Sequence, residues 1–70
     1  PLVVANLYRD VLLQMAPRIA ARVERRGTVI VSGFAPSSRR DVVSAFEAEG
    51  LRIVSSRSHA RWCVVTLRRP

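Results

Sequence analysis

The chain has 70 residues, of which 49% are hydrophobic and 24% are charged, and its formal net charge at pH 7 is +7. This balance is typical of a globular core former and excludes a disordered tail, and no apolar run is long enough to cross a bilayer. Every positive charge is an arginine, and the arginines are scattered, with no dense block and no interleaved aromatic residues, which argues against a dedicated nucleic-acid-binding module.

The first residues predict a strand. Leu2–Ala5 is a short apolar and partly β-branched run that ends at Asn6, as in a parallel strand buried on both faces. An apolar strand of this kind needs a neighbour on each edge. Since the chain begins with Pro1 and not with methionine, we expect a piece of a longer protein whose N-terminal strands pair with this one.

The next segment changes to a helical period. Apolar residues recur every three or four positions from Tyr8 to Val23, and polar residues fall on the opposite side, so we expect an amphipathic helix that faces a core. Pro17 interrupts it, because in mid-helix a proline deletes one hydrogen bond and presses on the carbonyl of Leu13, at a cost of about 3 kcal/mol. The sequence therefore predicts a kink or a break near Ala16, with Pro17 opening a second helical segment.

A tight turn, a strand and a loop are expected after this helix. Gly27 is predicted to end the helix, and Thr28–Ser32 is β-branched nearly throughout, which predicts a second fully buried strand. Gly33–Pro36 is interpreted as a loop. Ser38 and Asp41 are spaced as in a capping box, which predicts the start of another helix.

This second helix is expected to bury Val42, Val43 and Phe46. Gly50 is placed to stop it in the left-handed conformation, with Leu51 packing back on the last turn. Each of these residues is apolar or glycine and lies at a spacing that suits one helix face and its end.

Two strands finish the chain, at Leu51–Ser55 and Trp62–Leu67, and Ser58–Ala60 is a polar connection suited to a hairpin. The element order β-α-β-α-β-β predicts an α/β fold. Two right-handed crossovers give three parallel strands, and the last strand returns antiparallel.

Several short stretches occur together in a characteristic order. They are a strand ending in Ala-Asn, a helix containing Ala-Pro, a turn with glycine, a strand ending in Ser-Gly, and a terminal hairpin with tryptophan near its start, at Val3–Leu7, Met15–Pro17, Arg26–Gly27, Val29–Gly33 and Arg61–Arg68. In this order and spacing they resemble the C-terminal half of the catalytic domain in the PrmA family, methyltransferases that modify a protein of the large ribosomal subunit.

The chain departs from the family pattern in three places. Arg26 replaces one glycine of the turn, Ser38 matches a glutamine, and Leu7–Asp10 is bulkier and more charged than the usual segment. These departures leave the fold assignment intact, and a related methyltransferase acting on another amine remains an alternative.

The resemblance implies that residues 1–70 are the C-terminal portion of a single Rossmann-like catalytic domain that uses S-adenosylmethionine. This portion would supply strands four to seven of a seven-stranded sheet, with the last strand inserted antiparallel between its neighbours. The glycine-rich cofactor loop is absent from these residues, so the missing N-terminal part would bind most of the cofactor and this piece alone would be inactive. The implied substrate is an amine of a ribosomal protein in the cytoplasm.

The resemblance also implies a cofactor contact at Asn6. In open α/β sheets ligands bind outside the carboxyl ends of the strands, and Asn6 ends the first strand. A carboxamide can hold the acceptor amine or a polar edge of the cofactor without adding a fixed charge. The alternative is that Asn6 caps the following helix, since asparagine is a favoured N-cap residue. No catalytic residue is assigned.

Other reactive residues are interpreted as structural. His59 has no cysteine or carboxylate at ligand spacing, so no metal site is expected. Cys63 is expected to be a buried hydrophobe in a reducing compartment, and Trp62 to pack in the core or at the rim of the sheet. Asp10 and Asp41 are explained by helix N-terminal electrostatics.

The competing hypothesis is a small basic interaction module that binds RNA or an acidic protein partner. Such a module needs polar sheet edges and a concentrated arginine face, whereas a fragment of an enzyme has an apolar first strand and scattered arginines. The sequence favours the enzyme fragment, and it gives no indication of oligomeric state.

Overall fold

The computed structural model describes residues 2–70. In chain order its elements are β1 (Leu2–Asn6), α1 (Arg9–Ala21), β2 (Thr28–Phe34), a 3-10 turn (Pro36–Ser38), α2 (Arg39–Glu47), β3 (Arg52–Ser58) and β4 (Cys63–Arg68). The predicted α/β class and the order β-α-β-α-β-β are confirmed. No helix among the described residues has both the length and the apolar character needed to cross a membrane.

The four strands form one mixed sheet in the order β1-β2-β4-β3. β1 is parallel to β2, and β4 is antiparallel to both β2 and β3. The last strand in chain order therefore lies between β2 and β3, as the resemblance to the PrmA family implies.

Both helices pack on one face of this sheet. Alternate residues of β4 are buried, because successive side chains of a strand point to opposite faces, and they join the buried faces of α1 and α2 in a single core cluster. On the other face, Leu2 is 61% exposed and Val4 is 64% exposed. The prediction that the first strand is buried on both faces is thus wrong for the described residues, in which no second layer covers it.

Helix α1 continues through its proline. It runs from Arg9 to Ala21 with Pro17 inside it, so the predicted break and second helical segment are wrong. Pro17 is exposed, whereas Ala16 and Ile19 beside it are buried. One continuous apolar face packs on the sheet from both sides of the proline, and this burial outweighs the lost hydrogen bond.

The turn after α1 also differs from the prediction. The helix ends at Ala21, and the left-handed residue of the connection is Arg26, with φ of 65°, and not Gly27. The Arg26 N–H donates to the Arg69 carbonyl at 2.9 Å, and the Arg69 N–H donates to the Gly27 carbonyl at 3.0 Å. This pair of backbone bonds holds the turn against the end of β4 and keeps a non-glycine residue in an unfavourable conformation.

Helix α2 begins at Arg39, next to the predicted start, but the capping box does not form. Ser38 makes no side-chain capping hydrogen bond, and its φ of −93° and ψ of −2° are helical. The 3-10 turn Pro36–Ser38 puts the residue in this conformation, whereas a capping side chain needs an extended backbone. Asp41 instead accepts hydrogen bonds from Arg9 of α1.

The predicted stop of α2 is confirmed. Gly50 has φ of +89°, its N–H donates to the Glu47 carbonyl at 3.0 Å, and the Leu51 N–H donates to the Phe46 carbonyl at 3.3 Å. Leu51 is 2% exposed. The hydrophobic contact and the left-handed glycine together end the helix.

Candidate functional site

Several strands end along one edge of the sheet, the edge formed by the carboxyl ends of β1 and β2. β1 ends there at Asn6 and β2 at Phe34, and the turn of the hairpin between β3 and β4 lies at the same edge, because β4 is antiparallel to its neighbours. In open α/β sheets ligands bind outside the carboxyl ends of the strands. This edge is therefore the candidate site.

A pocket of about 410 Å³ opens at this edge, lined by Asn6, Leu7, Tyr8 and Gly33. None of these side chains carries a formal charge at neutral pH, although the chain as a whole has a net charge of +7. Tyr8 is 80% exposed, and Asn6 is exposed as well. The pocket thus offers a carboxamide, a phenol, backbone polar groups and an apolar wall to a ligand.

Asn6 is not the cap of the following helix. The N-cap position of α1 is Tyr8, so the capping alternative is wrong. Among residues 2–70 the Asn6 carboxamide makes no side-chain hydrogen bond. Its donor and acceptor atoms are available to a ligand.

Gly33 lies directly against this carboxamide. Its φ is +95°, and a Cβ at position 33 would overlap the Asn6 Oδ1 atom and lie 3.1 Å from both the nitrogen and the oxygen of Leu7. The predicted loop at Gly33–Pro36 is wrong at its start, because β2 continues to Phe34 with Gly33 as the extra residue of a β-bulge opposite β4. A glycine inside a β-branched run is the sequence signal for such a close approach.

The amino ends of the two helices meet beside the pocket. Arg9 Nη2 lies 2.8 Å from Asp41 Oδ2, and Arg9 Nη1 lies 2.7 Å from Asp10 Oδ1. The hydrogen bonds to Asp41, and then to Asp10, raise the pKa of Arg9 above its usual value. Both carboxylates occupy the first turns of their helices, as predicted, but the partner Arg9 was not predicted, since no local spacing relates it to Asp41.

The hairpin turn carries two stacked rings. His59 and Trp62 have ring centroids 5.4 Å apart and planes inclined by 10°, and the His59 N–H donates to the Trp62 carbonyl at 2.8 Å. Trp62 is 46% exposed and precedes β4, which begins at Cys63. Trp62 is therefore not a core residue, and it lies at the rim of the sheet, which is the other position expected for it.

Cys63 itself is fully buried, as predicted. The Ser58 hydroxyl donates to its sulfur across the hairpin at 3.6 Å. Within the described part of the chain, no group of three or more histidine, cysteine, aspartate or glutamate residues comes together in a way that could hold a metal ion.

Comparison with known proteins gives consistent matches. The PrmA family model, described as ribosomal protein L11 methyltransferase, matches residues 1–70. A ribosomal protein L11 methyltransferase from Heliobacterium modesticaldum is 35% identical over 68 residues, covering 97% of this chain and 22% of that protein. One from Chloroflexus aurantiacus is 35% identical over 69 residues, covering 99% of this chain and 21% of that protein.

The chain therefore spans about a fifth of the length of the curated relatives that it matches. A solved structure, the ribosomal protein L11 methylase from Lactobacillus delbrueckii subsp. bulgaricus, aligns with a TM-score of 0.87 and 24% identity, covering 99% of this chain and 36% of the other. This likeness establishes that the two chains share a fold over these residues.

Proposed function

The chain belongs to the PrmA family of ribosomal protein L11 methyltransferases, and from this premise we propose that it forms the C-terminal portion of a catalytic domain that uses S-adenosylmethionine. The pocket at Asn6 is the observation that carries the proposal. It lies at the carboxyl end of β1, where a ligand of an open α/β sheet is expected.

The exposed apolar surface of the sheet supports a larger catalytic domain. β1 is an edge strand among the described residues, and Leu2 and Val4 leave most of their side-chain surface exposed. Soluble proteins rarely leave an apolar edge strand uncovered, because it pairs readily with other chains. In the proposed domain, residues preceding this portion cover the open face and pair with β1, and they contain the glycine-rich cofactor loop.

The lining of the pocket supports the proposal that it holds part of S-adenosylmethionine. When bound, S-adenosylmethionine supplies a methyl group activated by a positively charged sulfonium. Among the residues that the structure describes, no cationic side chain lines the pocket, so its wall does not repel that charge. The Asn6 carboxamide offers one acceptor and two N–H donors without a fixed charge, and Gly33 leaves the space that the carboxamide occupies.

Orientation is the main contribution that these residues make to the reaction. Methyl transfer requires the acceptor nitrogen to approach in line with its lone pair free, and holding reactants in such a geometry is a large source of rate enhancement. The Leu7 N–H donates to the Ser32 carbonyl at 3.0 Å, which fixes the end of β1 against β2. Asn6 thereby presents its carboxamide from a rigid strand end.

The proposed acceptor is an amine, and it belongs to a ribosomal protein because the relatives are named as ribosomal protein L11 methyltransferases. Ribosomal proteins are made and assembled in the cytoplasm, so we assign the reaction to that compartment. A reduced, buried Cys63 is consistent with it.

The competing basic module is not supported. Arg9 binds carboxylates, Arg39 donates to the Ser56 hydroxyl, and Arg69 donates to backbone carbonyls, so these arginines serve contacts within the fold. No family of RNA-binding modules appears among the matches described above, and the exposed apolar face of β1 differs from the polar edge that a free-standing module needs.

Replacing Asn6 with alanine in the full-length protein tests the proposal. One hydrogen bond to a ligand contributes roughly 0.5–1.5 kcal/mol, so the Kd for S-adenosylhomocysteine, measured by calorimetry, should rise up to about tenfold. The melting temperature should stay constant, because Asn6 is exposed.

Gln14→Ala is the matched control, since Gln14 is an exposed carboxamide on α1 outside the pocket. It should leave the Kd unchanged. Equal affinities of Asn6→Ala and the unmodified protein would refute the cofactor role, and absence of methyl transfer to purified ribosomal protein L11 by the unmodified protein would refute the acceptor.

A further inference from the structure

The contact between Gly33 and Asn6 joins two strands at the pocket. Gly33 belongs to β2 and Asn6 to β1, and the missing side chain of the glycine leaves the volume in which the Asn6 Oδ1 atom lies. Both residues line the pocket of about 410 Å³. The position of the carboxamide therefore depends on what occupies position 33.

We propose that Gly33 is the positioning residue for Asn6: it sets the direction of the carboxamide toward the ligand, and any side chain at position 33 displaces it. This inference deepens the proposed function and rests on the cofactor role of Asn6. Gly33 itself presents no side chain to the cofactor and acts through its neighbour.

The backbone around Asn6 has little freedom to avoid a Cβ at position 33. Asn6 is in register with Ser32, and the Leu7 N–H donates to the Ser32 carbonyl at 3.0 Å. The Leu7 nitrogen and oxygen would both lie 3.1 Å from the new Cβ, which is tighter than most contacts of a real Cβ. Because these bonds hold β1 against β2, the Asn6 side chain must rotate away.

The bulge explains why Gly33 faces Asn6 at all. Ser32 pairs with Val64 and Phe34 pairs with Cys63, so Gly33 is the additional residue between two regular pairs. A bulge of this kind turns the strand locally and redirects its residues. With φ of +95°, the Gly33 backbone adopts a conformation that glycine tolerates and other residues rarely adopt.

Gly50 provides a matched control for backbone strain. Its φ is +89°, close to that of Gly33, and a Cβ there would meet only Arg69 Nη1, at 3.5 Å, which is an ordinary contact. Gly50→Ala thus introduces a comparable left-handed alanine far from the pocket. The two alanine variants differ in the collision with Asn6 and in the close contacts with the Leu7 backbone, and the double variant of Asn6→Ala with Gly33→Ala separates these two causes because it removes only the collision.

The experiment compares four variants of the full-length protein: Gly33→Ala, Gly50→Ala, Asn6→Ala, and Asn6→Ala with Gly33→Ala. For each variant, isothermal titration calorimetry gives the Kd for S-adenosylhomocysteine and differential scanning calorimetry gives the melting temperature. Gly33→Ala should raise the Kd by about as much as Asn6→Ala, up to roughly tenfold. The double variant should bind no more weakly than Asn6→Ala, and Gly50→Ala should lower the melting temperature without changing the Kd.

Fully additive losses in the double variant would overturn the inference, because Gly33 would then act independently of Asn6. An unchanged Kd in Gly33→Ala, with a raised Kd in Asn6→Ala, would also overturn it. If Gly33→Ala is too unstable to bind, the double variant must be more stable than Gly33→Ala, because it lacks the collision but keeps the strained φ and the Leu7 contacts. A double variant no more stable than Gly33→Ala contradicts the collision.

A second readout separates this inference from the proposed function. In the ¹⁵N NMR spectrum, the side-chain amide of Asn6 is identified by its disappearance in Asn6→Ala. It should shift in Gly33→Ala and stay in place in Gly50→Ala, whether or not Asn6 binds the cofactor. If Asn6→Ala leaves the Kd unchanged, the cofactor role fails, and a Gly33→Ala spectrum with the Asn6 amide unmoved refutes the positioning.

Discussion

Arg69 forms hydrogen bonds near the carboxyl ends of both helices, at the end of the sheet opposite the pocket. Its Nε donates to the Val23 carbonyl at 2.7 Å, and its Nη2 donates to the Ala20 carbonyl at 2.6 Å. Its Nη1 donates to the Glu49 carbonyl at 3.4 Å, next to the end of α2. The last carbonyls of a helix lack partners within the helix, and a cation there also interacts favourably with the helix dipole.

We predict that Arg69→Ala lowers the free energy of unfolding by about 2–3 kcal/mol. The two short, part-buried bonds are charge-assisted and are worth roughly 1.5 kcal/mol each at the lower end of their range. The long, exposed bond to Glu49 adds little. Water can replace part of what is lost, since Arg69 is only half-buried, and the freed side-chain entropy offsets a further part.

Urea unfolding of the full-length protein measures this loss, and hydrogen exchange should show faster exchange at the last turn of α1. Arg68→Ala is the control, because Arg68 is exposed and makes no side-chain hydrogen bond among residues 2–70. Arg69→Lys keeps the positive charge but not the forked set of N–H donors. Its loss of unfolding free energy should therefore lie between zero and that of Arg69→Ala. A loss in Arg69→Ala no greater than that in Arg68→Ala would refute the assignment.

Two further predictions concern the turn after α1 and the helix ends at the pocket. Arg26→Gly should raise the free energy of unfolding by about 0.5–1 kcal/mol, because it relieves a left-handed residue at some entropic cost in the unfolded chain; a lower urea midpoint would contradict this. A double-mutant cycle between Arg9→Ala and Asp41→Ala should show a small stabilising coupling at neutral pH that falls as salt is added. Because the pKa of Arg9 is raised, the arginine stays charged below its usual pKa, and the coupling is lost as the pH rises through the raised value. A coupling insensitive to salt would contradict the ion pair.

The order of the elements and the antiparallel return of the last strand could be predicted from the sequence. β-branched runs such as that at Thr28–Ser32 have few alternatives to a strand, and Gly50 lies where a helix must turn. The wrong predictions concern positions at which a local sequence rule conflicts with the packing of the whole fold. The cost of Pro17 is local, but the apolar face that it interrupts is buried along the whole helix, and the preceding 3-10 turn removes the capping geometry of Ser38.

Only part of the candidate site could be predicted. Asn6 is a candidate from the sequence because it ends a strand and matches the family pattern, and both are properties of the local sequence. The contact with Gly33 depends on the register of two strands and on a bulge, and the stacking of His59 on Trp62 depends on the turn of the hairpin. Such contacts follow from the assembled sheet and have no signature in residue spacing.

The position of β4 has a consequence for how the chain is made. β3 pairs with β4 in the described sheet, and β4 separates it from β2. During translation β2 and β3 leave the ribosome before β4, the strand that must lie between them. β3 therefore has no partner strand until the residues of β4 have been synthesised. If β2 and β3 pair with each other in parallel during that interval, this pairing must break before β4 can insert between them. The hairpin turn at His59–Trp62, which lies at the pocket end of the sheet, then leads the chain from β3 into β4.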